Sequence, residues 1–281
     1  MTINLNKKIL YVTGLPRSGS SLLCQLLDIH SQIYSTGHSS PLCQTLNQLR
    51  HNLSDNEFLL SQLDCDFNLG YQRLLNAYRG FINGWFAETD SPWVVDKNRG
   101  WLNQLETVHL LDPNCKMLVC VREPAQIYGS IEAQHQKTLL LDFPDHLANL
   151  TRHARADKLF ANDGVLGSPL KAIEAMQDIS QSLQKRVYYV VFEHLMQDPV
   201  AVMQDIYHWL DLPAESFDPQ QLPVKPHESD SYYRFKYSHK IRNCISPPKR
   251  HAIPARIEAE IHQLCTDFYQ IFYPKLMKRD Q

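Results

Sequence analysis

The segment from Gly14 to Ser21, with the sequence GLPRSGSS, concentrates residues that bind anions. Its glycines allow the backbone to curl closely around a ligand, and Arg17 adds a guanidinium fork that suits phosphate or sulfate oxygens. A buried strand precedes the loop and an apolar helix follows it, so backbone N–H groups and the helix dipole would face one ligand. A serine-rich turn without a ligand is the alternative interpretation. The pattern predicts an anion site formed by Pro16, Arg17, Ser18, Gly19, Ser20 and Ser21.

The loop differs from the P-loop of nucleoside triphosphatases, GxxxxGK[ST], at one informative position. Ser20 stands where that motif has its lysine. The next strong strand candidate ends in Arg122 rather than in an aspartate that could hold magnesium. Both differences argue against magnesium–ATP chemistry and favour another phosphorylated ligand.

The segment Leu15–Leu23 resembles the loop that grips the 5′-phosphosulfate in sulfotransferases that use 3′-phosphoadenosine 5′-phosphosulfate (PAPS). A second signature of that family is a strand that ends in arginine, followed eight residues later by serine. Arg122 and Ser130 match this signature, and the resemblance implies that they bind the 3′-phosphate. The resemblance covers about residues 8–200. It implies a P-loop-like sulfotransferase fold, PAPS as the donor, PAP as the product, and no metal.

Transfer of a sulfuryl group needs a base for the acceptor proton, a cation for the leaving phosphate, and in-line positioning. His38 is the candidate base, because it follows the second strand and imidazole titrates near neutral pH. The chain resembles the tyrosylprotein-sulfotransferase branch here, but that branch has a glutamate base, so the acceptor stays open. An ordinary loop histidine is the alternative.

Lys97, in the sequence VVDKN after a strand, resembles the family's lysine at the departing phosphate. A fixed cation there would neutralise the charge that builds up on the leaving group. Arg17 could share this role, and the alternative is a solvated lysine at a strand end.

The segment Tyr232–Arg242 mixes cations with aromatic residues and could cover a nucleotide. Related sulfotransferases close the cofactor site with a late loop that bears serine and lysine. The resemblance therefore implies that Ser238, His239 and Lys249 bind the cofactor, within a covering loop at 225–254. A nucleic-acid patch is the other interpretation, but one short run in a nearly neutral chain supports it weakly, and we expect no nucleic-acid partner.

Phe192 departs from the resemblance, because related sequences usually have tyrosine there. One hydrogen bond to the cofactor is then missing or supplied elsewhere, with Tyr188 or Tyr189 as the candidates.

The elements that must position these residues alternate between strand and helix. Strands are indicated at Lys8–Thr13, Ile33–Thr36, Trp93–Val95, Lys116–Val121 and Arg186–Phe192. Helices are indicated at Ser21–Ile29, between Trp101 and Leu111, from Pro124, at Val200–Leu210 and from about Pro254 to Tyr273. This alternation predicts a single α/β domain over residues 1–281, with a mainly parallel central sheet flanked by helices. The residues that follow the strands would then meet at one edge of the sheet.

Composition excludes several classes of protein. The chain has 281 residues and a formal net charge of -2, which does not fit a nucleic-acid coat or a membrane-surface protein. No apolar run approaches the roughly 20 residues that span a bilayer, and Ile9–Val12 is too short for a signal-peptide core. The seven cysteines form no CxxC pair, which favours free, buried thiols in a reducing compartment. We therefore expect a cytoplasmic protein without a membrane partner.

Together these patterns predict a sulfotransferase that moves a sulfuryl group from PAPS to the hydroxyl of a small or carrier-bound acceptor. Residues 40–90 and 132–180 lie outside the cofactor motifs and are expected to build the acceptor pocket. One rival is a kinase with a degenerate P-loop, which predicts magnesium-dependent ATP binding. The other is a regulatory protein that binds PAP without turnover and would not need both His38 and Lys97. The sequence leaves the oligomeric state open.

Overall fold

A sheet of five parallel strands forms the centre of a single α/β domain, which confirms the predicted fold class. A computed structural model describes residues 2–137, 147, 149–224, 242–248 and 250–277. The strands are β1 (Lys8–Gly14), β2 (Ile33–Tyr34), β3 (Trp93–Lys97), β4 (Lys116–Val121) and β5 (Val187–Val191). Their order is β2-β3-β1-β4-β5, so β1 lies between β3 and β4.

Helices cover both faces of the sheet. The first group is α1 (Ser20–Leu27), α2 (Leu42–Ser54), α3 (Glu57–Cys65), α4 (Phe67–Trp85), α5 (Leu105–Leu111), α6 (Pro124–Lys137) and α7 (Arg152–Phe160). The second group is α8 (Gly167–Ala175), α9 (Gln181–Gln184), α10 (Phe192–Gln197), α11 (Pro199–Trp209), α12 (Ala255–Leu264), α13 (Thr266–Phe272) and α14 (Pro274–Met277). Among the described residues, no helix is both long and apolar enough to cross a membrane.

Strand β1 shows why the central strands are apolar on both faces. Ile9 and Tyr11 join the core on one side of the sheet, whereas Leu10 and Val12 join the core on the other side. Successive strand residues point to opposite faces, and both faces of a parallel sheet are covered by helices. This double burial fixes the position of the loop that follows β1.

Three predicted elements have different bounds in the structure. Strand β2 ends at Tyr34, because Ser35 turns its N–H to the Asp28 carboxylate at 2.9 Å. The helix expected between Trp101 and Leu111 is a 3₁₀ turn at Arg99–Asn103 followed by α5. The C-terminal helix expected as one element is divided at Cys265 into α12 and α13.

The seven cysteines are free thiols, and five of them are buried. This agrees with the expectation of unpaired core cysteines. Burial raises the pKa of the Cys43 and Cys115 thiols to about 12, so these groups stay protonated near neutral pH.

Candidate active site at the sheet edge

The loop after β1 is held tightly against the neighbouring strand. Gly14 has φ 123°, and its following residue Leu15 donates its N–H to the Cys120 carbonyl at 2.9 Å. A Cβ on Gly14 would stand 2.1 Å from that carbonyl oxygen, so only glycine allows this approach. Arg17 also has a positive φ, 59°. The loop is thus a fixed feature of β1 and β4.

The serine side chains of the predicted anion loop do not all face the same way. Ser20 and Ser21 begin α1 and line a cleft, together with Pro16, Arg17 and Gly19. The first turn of α1 has no acidic residue, and no described side chain caps it. Ser18 is buried instead, and its hydroxyl donates to the Leu15 carbonyl at 2.5 Å. The Ser18 side chain therefore braces the loop, while the start of α1 faces the cleft.

Arg17, Arg122 and Ser130, which the sequence motifs separate widely, meet at one end of the cleft. Arg17 Nε donates to Ser130 Oγ at 3.3 Å, and Arg122 Nη1 donates to the Arg17 carbonyl at 2.9 Å. Arg122 is 6% exposed, and its Nε has no hydrogen-bond partner among the described residues. Burial lowers the pKa of Arg122, with Glu193 opposing that shift, but a guanidinium remains cationic. The cluster can bind a multiply charged anion.

Lys97 lies at the other side of the loop. It is 6% exposed, and its Nζ donates to Ser21 Oγ at 3.2 Å and to the Gly37 carbonyl at 2.9 Å. The ammonium group therefore stands at the start of α1, between β3 and the segment after β2. Such a cation can stabilise negative charge that develops on a group bound by the loop.

His38 follows β2 and borders this lysine, as the strand order requires. Gly37 contacts Lys97, and Ser39 lines the cleft, but His38 itself is exposed and is not among the described lining residues. Its backbone N–H donates to Thr36 Oγ1 at 3.3 Å. The base role of His38 stays a prediction.

The cleft occupies about 1230 Å³ at the carboxyl ends of the strands. Of the segments expected to form an acceptor pocket, Ser40, Pro41 and Gln44 line it from one side, and Ala133, Gln134 and Lys137 line it from another. Residues of α3, α4 and α7–α9 are not among the described lining residues. Among the described residues of those two segments, the candidate acceptor wall consists of the start of α2 with the two residues before it and the last turns of α6.

The C-terminal part of the chain returns to cover the cleft. Arg242, Cys244–Pro248 and His251 line it. Ser238, His239 and Lys249 lie outside the described residues, so their predicted cofactor contacts remain predictions. Arg242 ends the segment predicted to cover a nucleotide, whereas His251, inside the predicted covering loop, was not singled out because no motif marks it.

Phe192 occupies the place between the anion loop and Arg122. The guanidinium carbon of Arg122 lies 4.5 Å from the centre of the Phe192 ring, which is cation–π distance. The suggestion that Tyr188 or Tyr189 replaces a cofactor hydrogen bond is wrong. Tyr188 packs against Trp209, the Tyr189 hydroxyl accepts from Gln177 Nε2 at 2.9 Å, and neither lines the cleft. Both tyrosines lie within β5, whereas Phe192, the first residue after that strand, lines the cleft.

His251 is clamped by its backbone beside the Arg122 cluster. Its N–H donates to Gln126 Oε1 at 2.7 Å, and its carbonyl accepts from Gln126 Nε2 at 3.3 Å. Burial lowers the pKa of His251, and Arg122, Arg17 and Lys137 lower it further by charge repulsion. The ring is therefore largely neutral near pH 7.

Asp96 is a buried carboxyl directly beneath the cleft. Its Oδ1 accepts from Trp101 Nε1 at 2.6 Å, and it is not among the described lining residues. Burial raises the pKa of Asp96 to about 6, against hydrogen bonds from Ser40 and Trp101 that lower it.

One group among the described residues has metal-ligand types, namely Glu123, Glu258 and His262. Arg250 Nη2 lies 3.2 Å from Glu123 and 3.6 Å from Glu258. The two carboxylates thus already face a cation, and the group ties the C-terminal segment to the start of α6.

Several solved structures have a similar architecture. A domain of the curacin biosynthetic pathway, described as a sulfotransferase domain, has a similar structure with a TM-score of 0.51 and 17% identity; the match covers 94% of this chain and 99% of that one. The sulfotransferase domain of the Synechococcus PCC 7002 olefin synthase has a TM-score of 0.50 and 17% identity over 94% and 95% of the two chains. A sulfotransferase from Alicyclobacillus acidocaldarius has a TM-score of 0.50 and 14% identity over 80% and 88%.

These structures share the fold with this chain, and at such identities they support nothing finer. No curated protein matches the sequence. The family model described as "Sulfotransferase family" matches residues 10–216, a span that contains β2 to β5, β1 from its third residue onward, the anion loop, Lys97, Arg122 and Ser130. The chain therefore belongs to the sulfotransferase family.

Proposed function

We propose that this sulfotransferase uses PAPS as its donor and transfers the sulfuryl group to a hydroxyl of its acceptor. The observation that carries the choice of donor is the cluster of Arg17, Arg122 and Ser130. This cluster offers a second anion site beside the loop at the start of α1, and a nucleotide phosphorylated at both the 3′ and 5′ positions needs two such sites.

The residues present fit this donor. The buried Nε of Arg122 has no hydrogen-bond partner among the described residues, so a bound phosphate would satisfy it. Gly19 has φ 86° and leaves no room for a Cβ, which would stand 2.6 Å from Phe192. Arg122 and Ser130 would hold the 3′-phosphate, and Ser20, Ser21 and the first turn of α1 would hold the 5′-phosphosulfate.

The donor supplies an activated sulfuryl group, and the chain's own residues supply charge and proton transfer. As the bond between sulfur and the bridging oxygen breaks, Lys97 and Arg17 would stabilise the charge on the leaving phosphate. As the new bond between sulfur and the acceptor oxygen forms, a base must take the hydroxyl proton. His38 is the candidate for that base because it adjoins Gly37, which contacts Lys97.

The charge of the cleft favours this donor over magnesium–ATP. No aspartate or glutamate, Asp96 included, is among its described lining residues. Magnesium in such sites is usually held by carboxylates as well as by phosphates. The described lining therefore supports a ligand that needs no divalent ion.

Calorimetry with PAP, and separately with ATP and magnesium, tests the donor. We expect PAP to bind without magnesium and Arg17→Ala or Arg122→Ala to weaken it by about a hundredfold, as expected for loss of charge-assisted hydrogen bonds. Arg256→Ala, which removes an exposed arginine on α12, is the charge-matched control. Preference for ATP–magnesium over PAP would overturn the proposal.

Turnover distinguishes an enzyme from a protein that only binds PAP. With labelled PAPS, release of PAP should be faster with the protein than without it, and Lys97→Ala should make this release much slower. Binding of PAP without any accelerated release of PAP from PAPS, across a range of hydroxyl compounds, would favour the regulatory alternative.

A further inference from the structure

The cleft holds more positive charge than its proposed donor needs. Its described lining contains six cations, which are Arg17, Lys97, Arg99, Arg122, Lys137 and Arg242, and no carboxylate. The whole chain has a formal net charge of -2, so this concentration is local. PAPS brings about four negative charges near neutral pH, and Arg17, Lys97 and Arg122 already stand at its two proposed anion sites.

Arg99 is a lining cation outside the two proposed anion sites. It follows Lys97 by two residues, at the start of the 3₁₀ turn, and it is half-buried. The lining nearby includes Ser39 and Ser40, from the segment between β2 and α2, and Gln44, from the first turn of α2. This wall is separate from the Arg122 and Ser130 end of the cleft, which belongs to β4 and α6.

The backbone around Arg99 is fixed by three hydrogen bonds. Thr13 Oγ1 donates to the Arg99 carbonyl at 3.1 Å. Asn98 Nδ2 donates to the Ser40 carbonyl at 2.5 Å and to Gln44 Oε1 at 2.7 Å. The end of β3 is thus tied both to β1 and to the wall formed by Ser40 and Gln44, so the backbone that carries Arg99 is held in place.

We propose that the acceptor is a hydroxyl compound that also carries an oxyanion, a carboxylate or a phosphate, and that Arg99 binds this group. A guanidinium binds such groups through two parallel hydrogen bonds. The described lining has no carboxylate that would repel an anion, and the Arg99 contact would hold the acceptor with its hydroxyl toward the donor's sulfuryl group. The proposal rests on the donor assignment above and adds the chemical class of the acceptor.

The test uses matched pairs of compounds with the PAP-saturated protein. The pairs are 4-hydroxybenzoate and its methyl ester, 3-hydroxybutanoate and its methyl ester, and glycerol 3-phosphate and glycerol. Dissociation constants are measured by calorimetry. In at least one pair the anion should bind about tenfold more tightly than its neutral partner, as expected for a charge-assisted hydrogen bond. The carboxylate and phosphate pairs report separately which oxyanion is preferred.

Arg99→Gln should reduce this preference to about twofold or less, and Arg99→Lys should retain part of it, because lysine keeps the charge but loses the fork. The affinity for PAP should stay within about twofold in both variants, since Arg99 is not at a donor site. Arg256→Gln, on the exposed face of α12, removes the same charge as a control and should change neither value.

The outcomes separate the two proposals. If PAP fails to bind, the donor assignment fails and the acceptor proposal fails with it. If PAP binds but no anion binds more tightly than its neutral partner, or the preference survives in Arg99→Gln, only the acceptor proposal is overturned. A loss of PAP affinity in Arg99→Gln would instead assign Arg99 to the donor and would also overturn it.

Discussion

The surroundings of the Lys97 side chain indicate a role in the reaction. Its side chain is buried at the end of β3. Its ammonium group contacts Ser21 at the start of α1 and the Gly37 carbonyl in the segment after β2. A lysine needed only for solubility would be exposed. A buried cation aimed at the start of α1 is instead placed to meet an anion there.

Lys97→Ala should slow the chemical step more than it weakens donor binding. We expect the rate of PAP release from PAPS to fall about a hundredfold to a thousandfold, because a preorganised cation acts on charge that develops in the transition state. The PAP dissociation constant should change by less than about tenfold. Single-turnover assays with labelled PAPS and calorimetry measure the two quantities. Lys185→Ala, at an exposed site, is the control; an unchanged rate in Lys97→Ala would contradict the role.

The second prediction concerns Asp96 and the pH dependence of the free energy of unfolding. Its folded pKa of about 6 is above the ordinary 3.8, so the folded state binds the proton more tightly than the unfolded state. The protonated carboxyl therefore contributes to the free energy of unfolding. This contribution is fully present below the ordinary pKa and is lost as pH rises through about 6. The loss at neutral pH is about 3 kcal/mol at most for a shift of this size.

Asp96→Asn removes this titration and keeps an oxygen for Trp101 Nε1. The variant should gain stability over the native chain at pH 7.5, and the gain should shrink at pH 5. Urea unfolding at both pH values measures the difference. Asp157→Asn, at an exposed position, should show no such dependence. A difference between the Asp96 variant and the native chain that is the same at both pH values would show that Asp96 does not titrate in this range.

At this scale, sequence reasoning found residues that sit in motifs and missed those that do not. Arg17, Lys97 and Arg122 each follow a strand, so their convergence could be predicted from the topology of a parallel sheet. Arg99 and His251 have no motif, and their place depends on how a 3₁₀ turn and a late loop pack. Local patterns do not carry that information.

Among the elements, the loop and α1 form one unit with Phe192 from α10. Gly19 has φ 86° and ends the loop, and its Cα faces the Phe192 ring. Glu193, the next residue, accepts from the Tyr273 hydroxyl at 2.6 Å, so α10 is held in place by the C-terminal helices. The start of α1 cannot move without moving that ring.

Gly19→Ala should therefore destabilise the domain and weaken PAP binding. An alanine Cβ would stand 2.6 Å from Phe192 Cδ2, and a positive φ also disfavours alanine. The expected cost is about 1–3 kcal/mol of unfolding free energy, with a PAP affinity at least about tenfold lower. Denaturant unfolding and calorimetry measure both.

The matched control is Gly80→Ala in α4. No atom lies within 4 Å of a Cβ built there, and alanine favours a helix interior by about 1 kcal/mol over glycine. The control should leave PAP binding unchanged and should not destabilise the domain. Equal behaviour of the two variants would mean that the Gly19 geometry does not matter.

The elements show where sequence patterns are sufficient. The five strands and their mainly parallel direction could be predicted from short apolar runs that alternate with helices. The breaks inside the predicted helices could not be predicted from these patterns. The 3₁₀ turn before α5 is held by the bond from Trp101 to Asp96, and the residues of that bond belong to different elements.

At the scale of the whole molecule, segments that follow β5 in the chain cover the cleft. Gln25 Nε2 on α1 donates to the carbonyls of Pro223 at 2.6 Å and Arg242 at 3.0 Å. Gln126 on α6 binds the backbone of His251 in both directions. Two glutamines on the first helices of the site thus hold the late segment over it. Such long-range bonds could not be expected from local sequence.

This closure places His251 beside the proposed 3′-phosphate site, where it should couple PAP binding to pH. Burial and the charges of Arg122, Arg17 and Lys137 hold the pKa of His251 below its ordinary 6.5 in the protein without ligand. A bound phosphate would offset those cations and raise the pKa, so binding takes up a proton and PAP affinity should gain from His251 as pH falls. The phosphate itself loses charge below about pH 6, which acts in the opposite direction.

The informative quantity is therefore the ratio of PAP dissociation constants between His251→Asn and the native chain. Calorimetry should find this ratio rising between pH 7.5 and pH 5.5, and NMR titration should find a higher pKa for His251 with PAP bound. His153→Asn, at an exposed position, is the control and should leave the ratio near one. A ratio for His251→Asn that does not change with pH would exclude His251 from the phosphate site.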